Sequence, residues 1–363
     1  VNKQGYDFDL LDIDINEYDD EYVERYIKEK KYDVILYGSI VTHYKWIKWL
    51  TLIIKKYHPD TKVVVGNSVA GSCYDIFMEN APADVVVIGE GEYSTLDVLE
   101  SFRDNDDIKN IEGIAYRNAK GEIVQNPRRK ACKVDDLPMI NWDFFDIDDY
   151  LAKSQSNLSF GKVDDEQHTI TMPVSTARGC INKCTFCHHV FWDDPYRFRS
   201  PESILAEIRR NIEKYNATYI NFWDDLSFAT LSQVEKMADA ILASGLRFDW
   251  SAAIRTDLFG NPEKSYKKRY TIAQKMKKAG CSAVGFSLES SDKDVLKMMK
   301  KRVKVEYFGE QIKLLKKVGI ISNVSVVIGY PIETIQTIQD TFDMCVFNGV
   351  YPSIGYLLPL PYT

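Results

Sequence analysis

Short apolar segments alternate with amphipathic ones along nearly the whole chain, and this alternation limits the fold more than any other feature. Apolar runs at Phe8–Ile13, Asp33–Tyr37, Lys62–Val65 and Asp84–Ile88 predict strands. Helical spacing of apolar residues predicts helices over Glu21–Lys30, around Trp46, near Tyr74–Met78 and from Thr95. Short apolar strands, each followed by a helix, predict an open parallel sheet covered on both faces. Gly38, Gly66 and Gly89 stand at the strand ends, the edge where such sheets bind ligands. Gly113–Val124 then reads as a hairpin turning at Asn118-Ala119-Lys120-Gly121.

After a linker with Pro127, Pro138 and Pro173 the alternation resumes. It predicts strands at 172–177, 218–223, 248–254, 282–288, 322–329 and 353–358, and helices at 201–215, 231–244, 267–279, 304–318 and 334–347. Six strands wound in one hand with helices between them predict a partial (β/α)6 barrel, with chemistry at the C-terminal strand ends. The expected division is 1–135 for the sheet domain, 136–170 for a linker and 171–363 for the barrel. Val1 leads almost directly into a strand and the chain stops soon after the last one, so a preceding strand and a C-terminal extension are expected.

Composition narrows the classes. A length of 363 residues allows two cores, and a net charge of -7 with pI near 5.4 argues against a general nucleic-acid binder. The greasiest stretch, Trp46 to Ile54, is short and interrupted by Lys48, so no transmembrane segment is expected. Seven cysteines are too sparse and uneven for a disulfide framework. With no targeting segment in view, the expected compartment is the reducing cytoplasm.

Three of those cysteines carry chemistry. Cys180, Cys184 and Cys187 are spaced C-x3-C-x2-C just past the first barrel strand. Three thiolates from one loop can hold three irons of a 4Fe-4S cubane and leave the fourth open to a second ligand. Zinc is the alternative, with His188 or His189 as fourth ligand. Cys184-Thr185-Phe186-Cys187-His188 also has the haem-attachment form, which requires export. Cys73, Cys281 and Cys345 read as small packed hydrophobes.

The cysteine loop at a barrel mouth resembles the radical S-adenosylmethionine (radical SAM) superfamily. That resemblance implies a TIM-type barrel in which S-adenosylmethionine chelates the open iron and is split to a 5′-deoxyadenosyl radical. It implies cofactor contacts from Phe186, which would flank the adenine, and from Trp223, Asp224 and Asp225 in place of a more usual Gly-Gly-Glu. Arg255 would meet a carboxylate, Ser287 and Glu289 the ribose, and Ile328 and Gly329 the adenine. Bland readings remain open: a solvated pair or helix cap for Asp224 and Asp225, an ordinary ion pair for Arg255, a cap for Ser290. The implied partners are a small-molecule substrate and an external electron donor of flavodoxin or ferredoxin type.

The first domain resembles the Rossmann- or flavodoxin-like cobalamin-binding domain fused to many such enzymes. The segments that carry the likeness contain Gly38, Ser39 and Val41, then Gly66 and Asn67, then Gly89, Glu90 and Gly91. Asn67 departs from a common second glycine. His43 is not expected to be a cobalt ligand, since the resemblance places that histidine in an earlier loop. Together the two likenesses imply a cobalamin-dependent methyltransferase acting on an unactivated carbon or phosphorus centre. Two alternatives are an oxidative cyclase or rearrangement enzyme like the anaerobic magnesium-protoporphyrin ester cyclases, and a non-catalytic iron–sulfur redox sensor.

Overall fold

A computed structural model describes residues 4–155, 169–188 and 194–360. The chain forms two compact units, the first made mainly of Val1–Ala131, the second of Cys132–Cys187 and Pro195–Leu358.

In the first unit the elements run α1 (Asp20–Glu29), β1 (Val34–Gly38), α2 (Tyr44–Tyr57), β2 (Lys62–Gly66), α3 (Asn67–Ser72), α4 (Tyr74–Asn80), β3 (Val85–Val87), α5 (Gly91–Asp104), β4 (Ile114–Arg117) and β5 (Ile123–Gln125). The sheet order is β1-β2-β3-β4-β5, with β1, β2 and β3 parallel and the predicted hairpin β4–β5 adding two antiparallel strands at the far edge. Apolar strands explain the two cores. Val63 and Val65 pack on one face with Ile47, Leu50 and Ile54 of α2, while Val64, Val85 and Val87 pack on the other with Val98 of α5. The predicted strand Phe8–Ile13 does not form. Phe8 and Leu10 are exposed, no strand pairs with β1 on its outer side among the described residues, and Asp9 instead accepts from Tyr32. An apolar run without a ladder partner cannot satisfy its backbone as a strand.

The second unit carries α6 (Ile147–Gln155), β6 (Thr171–Val174), β7 (Ala177–Arg178), β8 (Arg197–Phe198), α7 (Pro201–Tyr215), β9 (Tyr219–Phe222), α8 (Leu231–Ser244), β10 (Asp249–Ala253), α9 (Tyr266–Lys278), β11 (Cys281–Glu289), α10 (Lys293–Met298), α11 (Phe308–Val318), β12 (Ile321–Ile328), α12 (Ile335–Phe347) and β13 (Pro352–Tyr356). Six strands form one parallel sheet in the order β13-β12-β11-β10-β9-β6, the sequential order of a partial barrel. Every predicted barrel strand is present, although 172–177 splits into β6 and β7. Two helices went unforeseen. The α10 helix is a short segment started by Asp292, whose carboxylate caps two amides. The other, α6, lies in the expected linker, where Trp142, Ile147 and Leu151 pack against the barrel core; 156–168 lies outside the described residues.

The helix boundaries follow their caps. Ser200 and Pro201 start α7, Thr230 and Gln233 form a capping box on α8, and Gly245 ends α8 in the left-handed conformation. Between helices and sheet, Trp250 is fully buried, its ring 5.2 Å from Phe222 and 6.2 Å from Phe228.

Candidate functional site

The barrel topology brings the C-terminal ends of β9, β10, β11 and β12 side by side, and the cysteine loop follows β6 and β7 at the adjoining edge. All seven cysteines are free. Cys184 is buried, and Cys180 and Cys187 are half-buried. The loop is anchored by its backbone: Thr185 N donates to Met299 O at 2.9 Å, and the Thr185 hydroxyl pairs with the Tyr330 hydroxyl at 2.7 Å. Phe186 packs edge-on against Tyr330, ring centroids 6.3 Å apart. A hydrogen bond between Cys184 and Cys187 lowers the pKa of the Cys184 thiol and raises that of Cys187. Burial raises Cys180. No three His, Cys, Asp or Glu side chains among the described residues stand closed around a metal-sized point.

Two residues that the sequence reading missed sit beside the thiols. Lys301 is 13% exposed and its Nζ donates to Glu289 Oε1 at 3.0 Å. Burial disfavours its charge, but Glu289 and the neighbouring thiols outweigh that and raise its pKa. In the sequence, Lys300-Lys301-Arg302 reads as a solvated basic run, and only the close passage of Met298 and Met299 along Thr185 turns Lys301 inward. Tyr330 is buried behind a turn held by Glu333, whose Oε2 accepts from the Gly329 and Tyr330 amides at 2.6 and 2.8 Å.

The other predicted contacts fare differently. Glu289 closes β11 at φ 64, in the left-handed region that disfavours side chains other than Gly, Asn and Asp. It is 4% exposed, and its Oε2 is buried with no hydrogen-bond partner. A strained, buried carboxylate with a spare acceptor is a binding group in waiting. Arg255 makes the ordinary ion pair, bidentate to Asp257 at 2.8 and 2.9 Å. Ser287 is half-buried on the lumen side of β11, and Ile328 and Gly329 end β12. Trp223 is 68% exposed and Asp225 is also exposed.

Asp224 is the most heavily engaged of these residues. Its Oδ1 accepts from Ser175 Oγ at 2.9 Å, Thr176 N at 3.0 Å and Ala177 N at 3.2 Å, while Oδ2 accepts from Thr176 Oγ1 at 2.6 Å. Burial raises its pKa, opposed by those same bonds. In this structure Asp224 pins the β6–β7 turn that leads into the cysteine loop. Arg199 grips the same turn, donating to Ser175 O and pairing with buried Glu207 at 2.7 Å.

In the first unit, Gly38 ends β1 with Ser39 and Val41 after it, Gly66 ends β2 with Asn67 after it, and Gly89, Glu90 and Gly91 follow β3. Three parallel neighbours thus bring all eight to one edge of the sheet. A Cβ on Gly38 would lie 2.8 Å from Gly66 O, so these strand ends approach too closely for a side chain. In front of Gly66 the space is open, with only Val87 Cβ at 4.0 Å. Asn67 adopts φ 67, which explains how it stands at a position where glycine would serve. His43 bonds through Nδ1 to Ser39 Oγ at 2.7 Å.

Residues 174–345 match the model of the Radical SAM superfamily, and residues 1–99 match the B12 binding domain. The chain belongs to the radical SAM superfamily and carries a B12 binding domain. It is similar to an uncharacterized methyltransferase of Pyrococcus horikoshii, 26% identical over 317 residues covering 86% of this chain and 64% of the relative. It is also similar to the anaerobic magnesium-protoporphyrin IX monomethyl ester cyclase of Rubrivivax gelatinosus, 24% identical over 348 residues, 94% of this chain and 59% of the relative. The chain thus spans 64% and 59% of the length of these curated relatives. In fold it superposes on the radical SAM methyltransferase TsrM from Kitasatospora setae with tryptophan and a SAM analogue bound, TM-score 0.75 at 16% identity, covering 100% of this chain and 69% of that one.

The radical SAM domain and the B12 binding domain together imply a 4Fe-4S cluster, S-adenosylmethionine and cobalamin as cofactors. The residues fit them. Three free thiols on one anchored loop are a cubane donor set, the orphan Oε2 of Glu289 suits a vicinal diol, and the open face of Gly66 is a cradle that a side chain would fill. No helix among the described residues is long and apolar enough to cross a membrane.

Proposed function

We propose that this protein is a cobalamin-dependent radical SAM methyltransferase that transfers a methyl group to an unactivated carbon or phosphorus centre. The observation that carries the reading is the pairing of a radical SAM barrel with a B12 binding domain in one chain, supported by the methyltransferase names among its relatives. When bound, the cluster supplies the electron that splits S-adenosylmethionine to a 5′-deoxyadenosyl radical, and cobalamin carries the methyl group.

This chain's own residues hold and orient. Cys180, Cys184 and Cys187 would ligate the cluster, and Glu289 Oε2 would accept from the ribose hydroxyls. Lys301 holds Glu289 by its other oxygen. Phe186, braced by Tyr330, would face the adenine with Ile328 and Gly329. Ser287, Arg255, Trp223 and Asp225 would complete the wall around the cofactor, with Asp224 holding the turn behind the loop. Gly38, Ser39, Val41, Gly66, Asn67, Gly89, Glu90 and Gly91 would hold cobalamin at their shared sheet edge. The electron would come from a flavodoxin- or ferredoxin-type donor, and seven free thiols suit a reducing cytoplasm.

The test is anaerobic reconstitution with iron, sulfide and hydroxocobalamin, followed by S-adenosylmethionine and dithionite. Corrin absorbance retained after gel filtration, with 5′-deoxyadenosine and S-adenosylhomocysteine formed, is expected. The cyclase relative favours a second reading, marked by 5′-deoxyadenosine without S-adenosylhomocysteine. A Cys184→Ala protein that still cleaved S-adenosylmethionine would defeat both.

A further inference from the structure

The barrel bore has an unusual lining. Val284, Phe286 and Leu288 of β11, Val324 and Val326 of β12, and Trp250 and Ala252 of β10 all pack outward into the helix-side core. Strand alternation therefore turns their neighbours inward. The rows read off the parallel register are Pro173, Asn221, Ser251, Ala283 and Ile321, then Ala253, Gly285 and Asn323, then Ser287, Ser325 and Ser353. A closed barrel of this family of shapes fills such positions with Val, Ile and Leu. Here most of them are small or polar, with Pro173 and Ile321 the exceptions at the two ends of the first row.

Its polar groups have spare capacity. Ser325 and Ser353 are exposed and adjacent in register, and Nδ2 of Asn323 is buried with no hydrogen-bond partner. At the floor, Ser251 Oγ bonds Asn221 Oδ1 at 3.2 Å and Tyr219 pairs with Ser282 at 3.0 Å. The nearby charges are already matched, Arg255 by Asp257 and Glu289 by Lys301. An ionised ligand group would be desolvated there without a counter-charge. A flat apolar ligand would strand the hydroxyls and the Asn323 amide. Hydroxyl and carboxamide groups, which both donate and accept, answer a wall of this kind.

We infer that the bore recognises a neutral substrate portion rich in hydroxyl or amide groups, with Asn323, Ser325 and Ser353 as its hydrogen-bonding wall. The inference rests on the barrel holding the substrate, as the proposed function requires. Saturation-transfer NMR on the reconstituted protein, with S-adenosylmethionine present, tests it by binding alone. The probes are N-acetylglucosamine and xylitol, against glucose 6-phosphate and indole, each at about 10 mM, where millimolar ligands populate their site. Transfer to the neutral polar probes is expected, falling about tenfold, the worth of one lost hydrogen bond, in Ser325→Val and in Asn323→Leu. Ser353→Val on the exposed edge strand serves as a third variant with little risk to folding.

No transfer to either neutral polar probe overturns the inference. So does stronger transfer to the phosphate or to indole, or neutral-probe transfer unchanged in all three variants. If the same preparation cleaves S-adenosylmethionine without that binding, this inference alone fails. If it binds without cleaving, the enzyme reading fails instead.

Discussion

Replacing Asp224 separates a structural carboxylate from a ligand-binding one. In Asp224→Ala the amides of Thr176 and Ala177, residues 0% and 5% exposed, lose their acceptor, as do the hydroxyls of Ser175 and Thr176. The hydroxyls can turn to other partners, but the amides cannot. Each buried donor left unsatisfied costs about 1–3 kcal/mol, so with two such amides the variant should lose about 2–6 kcal/mol. Asp224→Asn keeps one oxygen for both amides, and the Thr176 hydroxyl can rotate to accept from the new amide, which holds the loss to about 1 kcal/mol.

Urea titration and thermal unfolding followed by circular dichroism read this directly, with Asp224→Ala melting about 10 °C lower. The pH dependence adds a second check. Burial raises the folded-state pKa of Asp224, so the folded protein takes up this proton before the unfolded chain does. The residue's contribution to stability therefore rises as pH falls through the window between the raised folded value and the unfolded one, and Asp224→Asn removes that slope. An Asp224→Ala protein within about 0.5 kcal/mol of wild type, or an Asn variant as damaged as the Ala one, would refute the reasoning. Loss of S-adenosylmethionine affinity at unchanged stability would hand the residue to the cofactor.

Other expectations follow from single environments. Lys301→Met leaves Glu289 buried without its cation and should cost about 3–5 kcal/mol in urea unfolding at pH 7. Because the Lys301 pKa is raised, the wild-type pair keeps its full contribution below the unfolded lysine value and loses it as pH rises through the folded one, a loss absent in Lys301→Met. Cys345 is fully buried with its pKa pushed up to about 11, so iodoacetamide at pH 8 should leave it unlabelled in native protein, whereas cluster assembly should newly protect Cys180, Cys184 and Cys187; peptide mass spectrometry reads both. Gly260→Ala puts a Cβ 1.9 Å from Tyr307 O, a backbone clash that should lower the melting temperature by several degrees.

The cysteine loop and the six barrel strands were legible because their signals are local. A C-x3-C-x2-C spacing, a period-two apolar run or a Thr-x-x-Gln cap is complete within a few residues. Phe8–Ile13 shows the limit of that legibility: its apolar pattern suits a strand, but a strand also needs a neighbour. Chain order alone thus determined two α/β units, the cysteine loop and the strand ends that stand at one edge of each sheet. Tertiary structure decided what each strand-end group is free to do. Asp224 meets donors 47 to 49 residues away, Lys301 meets Glu289 only because the chain folds back along Thr185, and Ser325 and Ser353 become neighbours through sheet register. Whether a polar atom is spent or spare depends on partners brought from distant positions, and that is not written in any local pattern.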